Sequence, residues 1–155
     1  MRLLLFVHWA GICVWLGAQL AFMVFGPAAK KMSLESWANT WVTLARVQRV
    51  LIAPAAAAAT VTGIALTMAA AKSEALDMGQ MWLMVMQTAG LIAGILALVV
   101  VTPLVNKMAL IAVRSLEKGQ QDPMAERVRK RLALLGSITG ALIIIALYFG
   151  VIRHY

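Results

Sequence analysis

Apolar residues fall into four long runs, and the short stretches between them hold most of the charge. The first run, LLLFVHWAGICVWLGAQLAFMVF, covers about residues 3–25 and meets Gly26-Pro27. The others cover about residues 45–71, 81–104 and 132–152. A hydrocarbon core of roughly 30 Å takes about 20 helical residues to cross. Each run therefore predicts a membrane-crossing helix. The expected fold class is all-α: an integral membrane four-helix bundle forming one transmembrane domain over residues 1–155.

Details inside the runs refine this picture. The first starts after a basic residue, as a signal peptide does, but its length and its internal Trp9 and Trp15 favour a retained helix. In the second, Pro54 interrupts the backbone ladder, and the alanines from Ala55 to Ala59 present a smooth surface for close contact. The third is expected to continue as an interfacial helix to Leu116. Gly90/Gly94 and Gly136/Gly140 have the four-residue spacing of tightly packed membrane helices. Trp37 and Trp41 lie in the first connection, where they are expected to anchor an amphipathic segment at the lipid headgroups.

Composition agrees with the pattern. Hydrophobic residues make up 63% of the chain and charged residues 13%, against about 25% charged in a typical soluble domain. The single cysteine, Cys13, sits in the first run, so no intramolecular disulfide forms, and a packing role is expected for it. The formal net charge is +8. These charges flank apolar runs without interleaved stacking aromatics, which argues against nucleic acid as a partner and for the lipid bilayer.

The basic residues also orient the chain. The first and third connections carry Lys30, Lys31, Arg46, Arg49, Lys107, Arg114, Lys118, Arg127, Arg129, Lys130 and Arg131, eleven in all. The opposite side has three, Arg2, Lys72 and Arg153. Lys and Arg concentrate on the cytoplasmic side. A multi-pass protein of the cell's inner (plasma) membrane is expected, with both termini outside.

Candidate chemistry is sparse. The acids, Glu35, Glu74, Asp77, Glu117, Asp122 and Glu126, all lie in connections, which speaks against a proton-coupled transporter. No nucleophile–base triad, phosphate-cradling loop or thiolate metal motif is present. Of the two histidines, His154 is next to the C-terminus and His8 lies inside the first run. Intramembrane ionisable groups are costly to place and commonly functional. His8 is about 8 Å into its helix at 1.5 Å per residue, roughly level with the opening of the third run, GQMWLMVMQ.

Imidazole and thioether can both ligate haem iron or copper without burying a charge. His8 with Met84 or Met86 is thus a candidate cofactor or metal site. The two methionines point about 200° apart on a helix, so at most one of them, with Trp82 or Gln87, faces the bundle axis. His8 could instead donate a hydrogen bond to a carbonyl or to Thr62 or Thr67 of the second helix. Trp9, Trp15 and Trp82 are candidates to line an aromatic pocket, or to serve as packing and interface residues. Arg46 and Arg49 share a helix face, suited to an anionic group or to lipid phosphates. They sit roughly 20 Å from the level of His8, so a porphyrin at His8 would direct its propionates toward Arg2, Lys72 or Arg153.

The stretch HWAGICVWLGAQLAFMVFGP from His8, with its W-x-G step and closing Pro, resembles two related groups of small membrane proteins. One is the CopD-like copper-resistance family, the other the HemJ-type protoporphyrinogen oxidases. RVLIAPAAAAATVTGIAL from Arg49 is similar to the Arg, Pro and later Gly pattern of both. The resemblance implies a four-helix membrane protein, b-type haem at the position of His8, or copper handling. In the HemJ-type pattern a Trp-Leu pair in the third helix is followed by a lysine needed for activity. Here Trp82-Leu83 is followed by Met86 at that position, and RLALLGSITG stands where Asn-Glu-Pro is expected. Both departures speak against protoporphyrinogen oxidation and leave enzymatic activity open.

Three functions are therefore in view. The first is haem b or porphyrin binding through His8, with a redox or porphyrin-handling role. The second is Cu(I) transport or resistance through His8 and Met86. The third is a structural or assembly subunit without cofactor. With one intramembrane histidine, ligation of one haem by two histidines would need a second copy of the chain.

Overall fold

The computed structural model describes residues 1–72 and 79–152. Glu74, Asp77, Arg153 and His154 lie outside the described residues, as does any role expected of them. The chain folds into four long helices: α1 (Arg2–Lys31), α2 (Leu34–Lys72), α3 (Met81–Glu117) and α4 (Pro123–Ile152). All four are long and apolar enough to cross a membrane, and the fold is an all-α bundle.

The helices outrun the apolar stretches that announce them. α1 continues through Gly26-Pro27 and ends in a 3₁₀ turn at Ala29–Lys31. Ser33 caps α2, its hydroxyl accepting from the Ser36 N–H at 3.3 Å. The turn from α3 to α4 uses Gly119 at φ 68°, a conformation open to glycine. Asp122 then accepts from the Met124 N–H at 2.8 Å, and Pro123 takes the first helical position, where its missing N–H costs nothing.

α2 and α3 contain 39 and 37 residues, or roughly 55–60 Å at 1.5 Å per residue, nearly twice a hydrocarbon core. Each is interrupted just before its proline. A wide π turn spans Gln48–Ile52 ahead of Pro54, and another spans Leu96–Val101 ahead of Pro103. A proline ring clashes with the carbonyl four residues back and donates no hydrogen bond to it. The extra residue in each π turn absorbs that misfit. The two interruptions are joined, because Gln48 Nε2 donates to Thr102 Oγ1 at 2.9 Å.

Packing differs along the bundle. At the His8 end, α1 lies on the Ala53–Lys72 half of α2, and the Met81–Ile95 half of α3 lies on α4. The core there is Trp15, Ile52, Ala56, Ala59, Ala93, Ala97 and Ile143. A Cβ on Gly11 would stand 2.9 Å from the Ala55 carbonyl oxygen and 3.1 Å from the Ala59 nitrogen. The alanine run therefore admits the α1 backbone as expected. At the basic end, the Leu34–Val47 half of α2 pairs with Thr102–Glu117 of α3. Trp37, Trp41 and Leu44 meet Met108, Ile111 and Ala112 there, closed over by Ala125 and Val128 of α4.

This pairing corrects one expectation and extends another. Trp37 and Trp41 are each only 3% exposed, so they are core residues and not headgroup anchors. The end of α3 does continue the helix as expected, to Glu117, and its apolar face is the partner of these tryptophans. Each segment is amphipathic, and each supplies the apolar cover the other needs. Cys13 departs from its expected packing role as well, being exposed on the outside of α1.

Candidate functional site

His8 is held by α2. Its ring packs on Gly63, where a Cβ would stand 2.9 Å from His8 Cε1. Nδ1 lies 2.8 Å from the Ala59 carbonyl oxygen. A carbonyl only accepts, so Nδ1 carries the proton and donates. Thr62 Oγ1 is 3.3 Å from the same nitrogen. The Thr62 contact is one of the two hydrogen-bond partners suggested by the sequence; the other, Thr67, accepts instead from Gln87 Nε2 at 3.1 Å.

This tautomer leaves the lone pair on Nε2, and no described residue hydrogen bonds to that atom. Metal-ligating histidines characteristically donate their other ring N–H to a carbonyl or carboxylate, which fixes the ring and raises its basicity. The Ala59 carbonyl stands where such a partner would. His8 is half-buried, and its ring meets Trp9 edge-on at a centroid distance of 6.4 Å.

The other candidates do not gather around it. Met86 turns to α4, its sulfur 3.2 Å from where a Cβ on Gly150 would be. Met84 is 56% exposed, on the outside of α3. Trp82 donates from Nε1 to Gln80 Oε1 at 2.6 Å, closing the start of α3. Trp15 is buried in the core with residues of α2, α3 and α4, whereas Trp9 is exposed, so the three tryptophans form no common pocket. No group of three or more His, Cys, Asp or Glu that could hold a metal ion occurs among the described residues. Arg46 and Arg49 are both exposed at the basic end and enter no ion pair among the described residues.

The structure adds a second constellation, nearer the basic end. A cavity of about 230 Å³ opens between α1 and α4, floored by α2 and α3. Gln19, Trp41, Gln48, Arg129 and Ser137 supply its polar lining. Gln19 Nε2 donates to the Gly136 carbonyl at 2.6 Å, linking α1 to α4. Arg129 is held by Glu126 at 2.7 Å, and Glu126 also pairs with Lys30 at 3.3 Å. The signal was available in the sequence: Gln19 and Gln48 are polar residues within or beside apolar runs, as His8 is.

Comparison of the chain with family models, curated proteins and solved structures found no match.

Proposed function

We propose that this chain is an integral membrane protein binding haem b or a related porphyrin, with a redox or porphyrin-handling role and His8 as its ligand. One observation carries the reading. His8 donates from Nδ1 to the Ala59 carbonyl and keeps Nε2 unbonded, the arrangement a ligating imidazole requires. Haem held there would supply one-electron chemistry. The chain's own part is to fix the imidazole through Ala59 and Gly63, and to offer Arg2 and Lys72, at the same end, to the propionates. The lysine and arginine count supports an orientation with that end outside an inner (plasma) membrane and both termini on the same side.

Met86 packs on α4 and Met84 lies exposed outside α3, so neither candidate thioether stands opposite His8. Ligation by two imidazoles would take a second copy, which makes a haem-bridged homodimer part of the proposal. The same observation weakens the copper alternative, because Cu(I) binding by one imidazole lacks its soft partner. A packing role for His8 is the remaining alternative, since the Nδ1 bond alone would suffice for it.

The absorption spectrum of detergent-purified protein, as isolated and after addition of haemin, separates these readings. A Soret band that is lost or shifted in His8→Ala is the expected result. A wild type that stays colourless and takes up no haemin would overturn the reading. Copper found by elemental analysis without a porphyrin spectrum would favour the alternative.

A further inference from the structure

The cavity between α1 and α4 is chemically unlike a gap left by loose packing. Gln19 and Gln48, 7% and 2% exposed, each spend an amide N–H on a neighbouring helix. Their amide oxygens receive no hydrogen bond from any described residue. Trp41 lines the cavity as well, but its indole N–H is closed off from that space. Buried polar groups are nearly always paired. Two free acceptors with the Ser137 hydroxyl beside them, around a single space, are the outline of a ligand that both donates and accepts.

The lining narrows what that ligand is. Two carbonyl oxygens repel an anionic head. The one cation in the lining, Arg129, already gives its Nε and Nη2 to Glu126. No carboxylate among the described residues lines the space to receive a cationic head. A neutral head with hydroxyl groups fits both halves of the requirement. The volume of about 230 Å³ is below the roughly 300–1,000 Å³ of pockets for drug-sized ligands, so the head is compact. The mouth is lined by the exposed Met23, Pro27, Ala133 and Ser137, with Gly26 beside them, on the two helices that flank the opening. An apolar tail would leave there between α1 and α4 into surrounding lipid.

We infer that this cavity is a second binding site, for a single-tailed amphiphile with a compact, neutral, hydroxyl-bearing head of the phenol or quinol kind. The site shares no residue with His8 and stands whether or not His8 holds haem.

The test is binding of a decyl-tailed hydroquinone, kept reduced under argon, to the full chain in detergent micelles, read by quenching of tryptophan fluorescence. Sodium decanoate is the anionic comparison. Gly26→Leu sets a branched side chain at the opening, where nothing lies within 4 Å of the added Cβ. Gln48→Leu removes one acceptor. The inference expects saturable quenching in the wild type, with affinity reduced at least about tenfold in Gly26→Leu and in Gln48→Leu, as loss of a buried hydrogen bond or of tail access would give. Equal quenching of wild type and Gly26→Leu would overturn it, whatever Gln48→Leu does to folding. Displacement of the hydroquinone by decanoate at lower concentration would overturn it too, in favour of an anionic lipid site.

Discussion

The two ends of this bundle are held together by opposite means. At the His8 end, α1 meets α2 through Gly11, Ala55 and Ala59, backbone nearly against backbone. At the basic end, α2 meets α3 through Trp37, Trp41, Leu44, Met108 and Ile111. Small residues bring helices close where lipid gives apolar side chains no reason to prefer each other. Bulky residues belong where burial removes apolar surface from water. The difference suits the lengths of α2 and α3, which exceed what a bilayer core accommodates and leave an end to be closed by a conventional core. The smooth crossing at Gly63 admits the His8 imidazole between α1 and α2, whereas the interlocked end is filled by indole and aliphatic side chains up to the cavity at Gln48.

Substitutions can break this contrast. Trp37→Ala removes the largest side chain that faces only the basic-end core, and should cost about 3–5 kcal/mol. Protease should then cut α2 within Leu34–Val47, while any Soret band is kept. Gly11→Ala acts at the other end. A Cβ 2.9 Å from a carbonyl oxygen cannot be absorbed by a flexible side chain, and overpacking of this kind costs about 1–3 kcal/mol. It should lower the thermal midpoint and disturb any haem spectrum. Gly63→Ala should be milder for stability. By pushing on His8 Cε1 it should shift the haem spectrum with little change in helix content by circular dichroism. Gly90→Ala is the control. Its Cβ position is open, so stability should stay unchanged or rise by up to about 1 kcal/mol, because alanine is the better helix former.

The four helices were legible because apolar runs of spanning length have few alternatives in a chain this poor in charge. Their ends were less so. A window of hydropathy stops where polar residues begin, whereas hydrogen bonding continues through the amphipathic turns beyond. Trp37, Ala38, Trp41, Leu44 and Ala45 trace one buried helix face. That spacing shows that cover is needed without showing whether lipid or protein provides it. The partner face, Val105, Met108, Ile111 and Ala112, is the information only the fold supplies.

At the candidate site the position of His8 was legible, and so was Thr62 as its neighbour. The choice of Nδ1 as donor was not, since it depends on the crossing of α1 over Ala59. Level along the axis also proved insufficient for Met86. Two residues at one depth can face different helices, and its sulfur faces Gly150. Gln19 and Gln48 are separated by a helix connection, so only folding brings them to one cavity.

The most direct test of the account is chemical rescue of His8→Gly. Haemin is added to the purified variant with and without free imidazole, and the Soret region is recorded. If Nε2 is the ligand, the variant lacks the wild-type band and millimolar imidazole restores it in the space beside Gly63. A variant whose spectrum matches the wild type without imidazole would contradict the account, as would a wild-type protein that takes up no haemin at all.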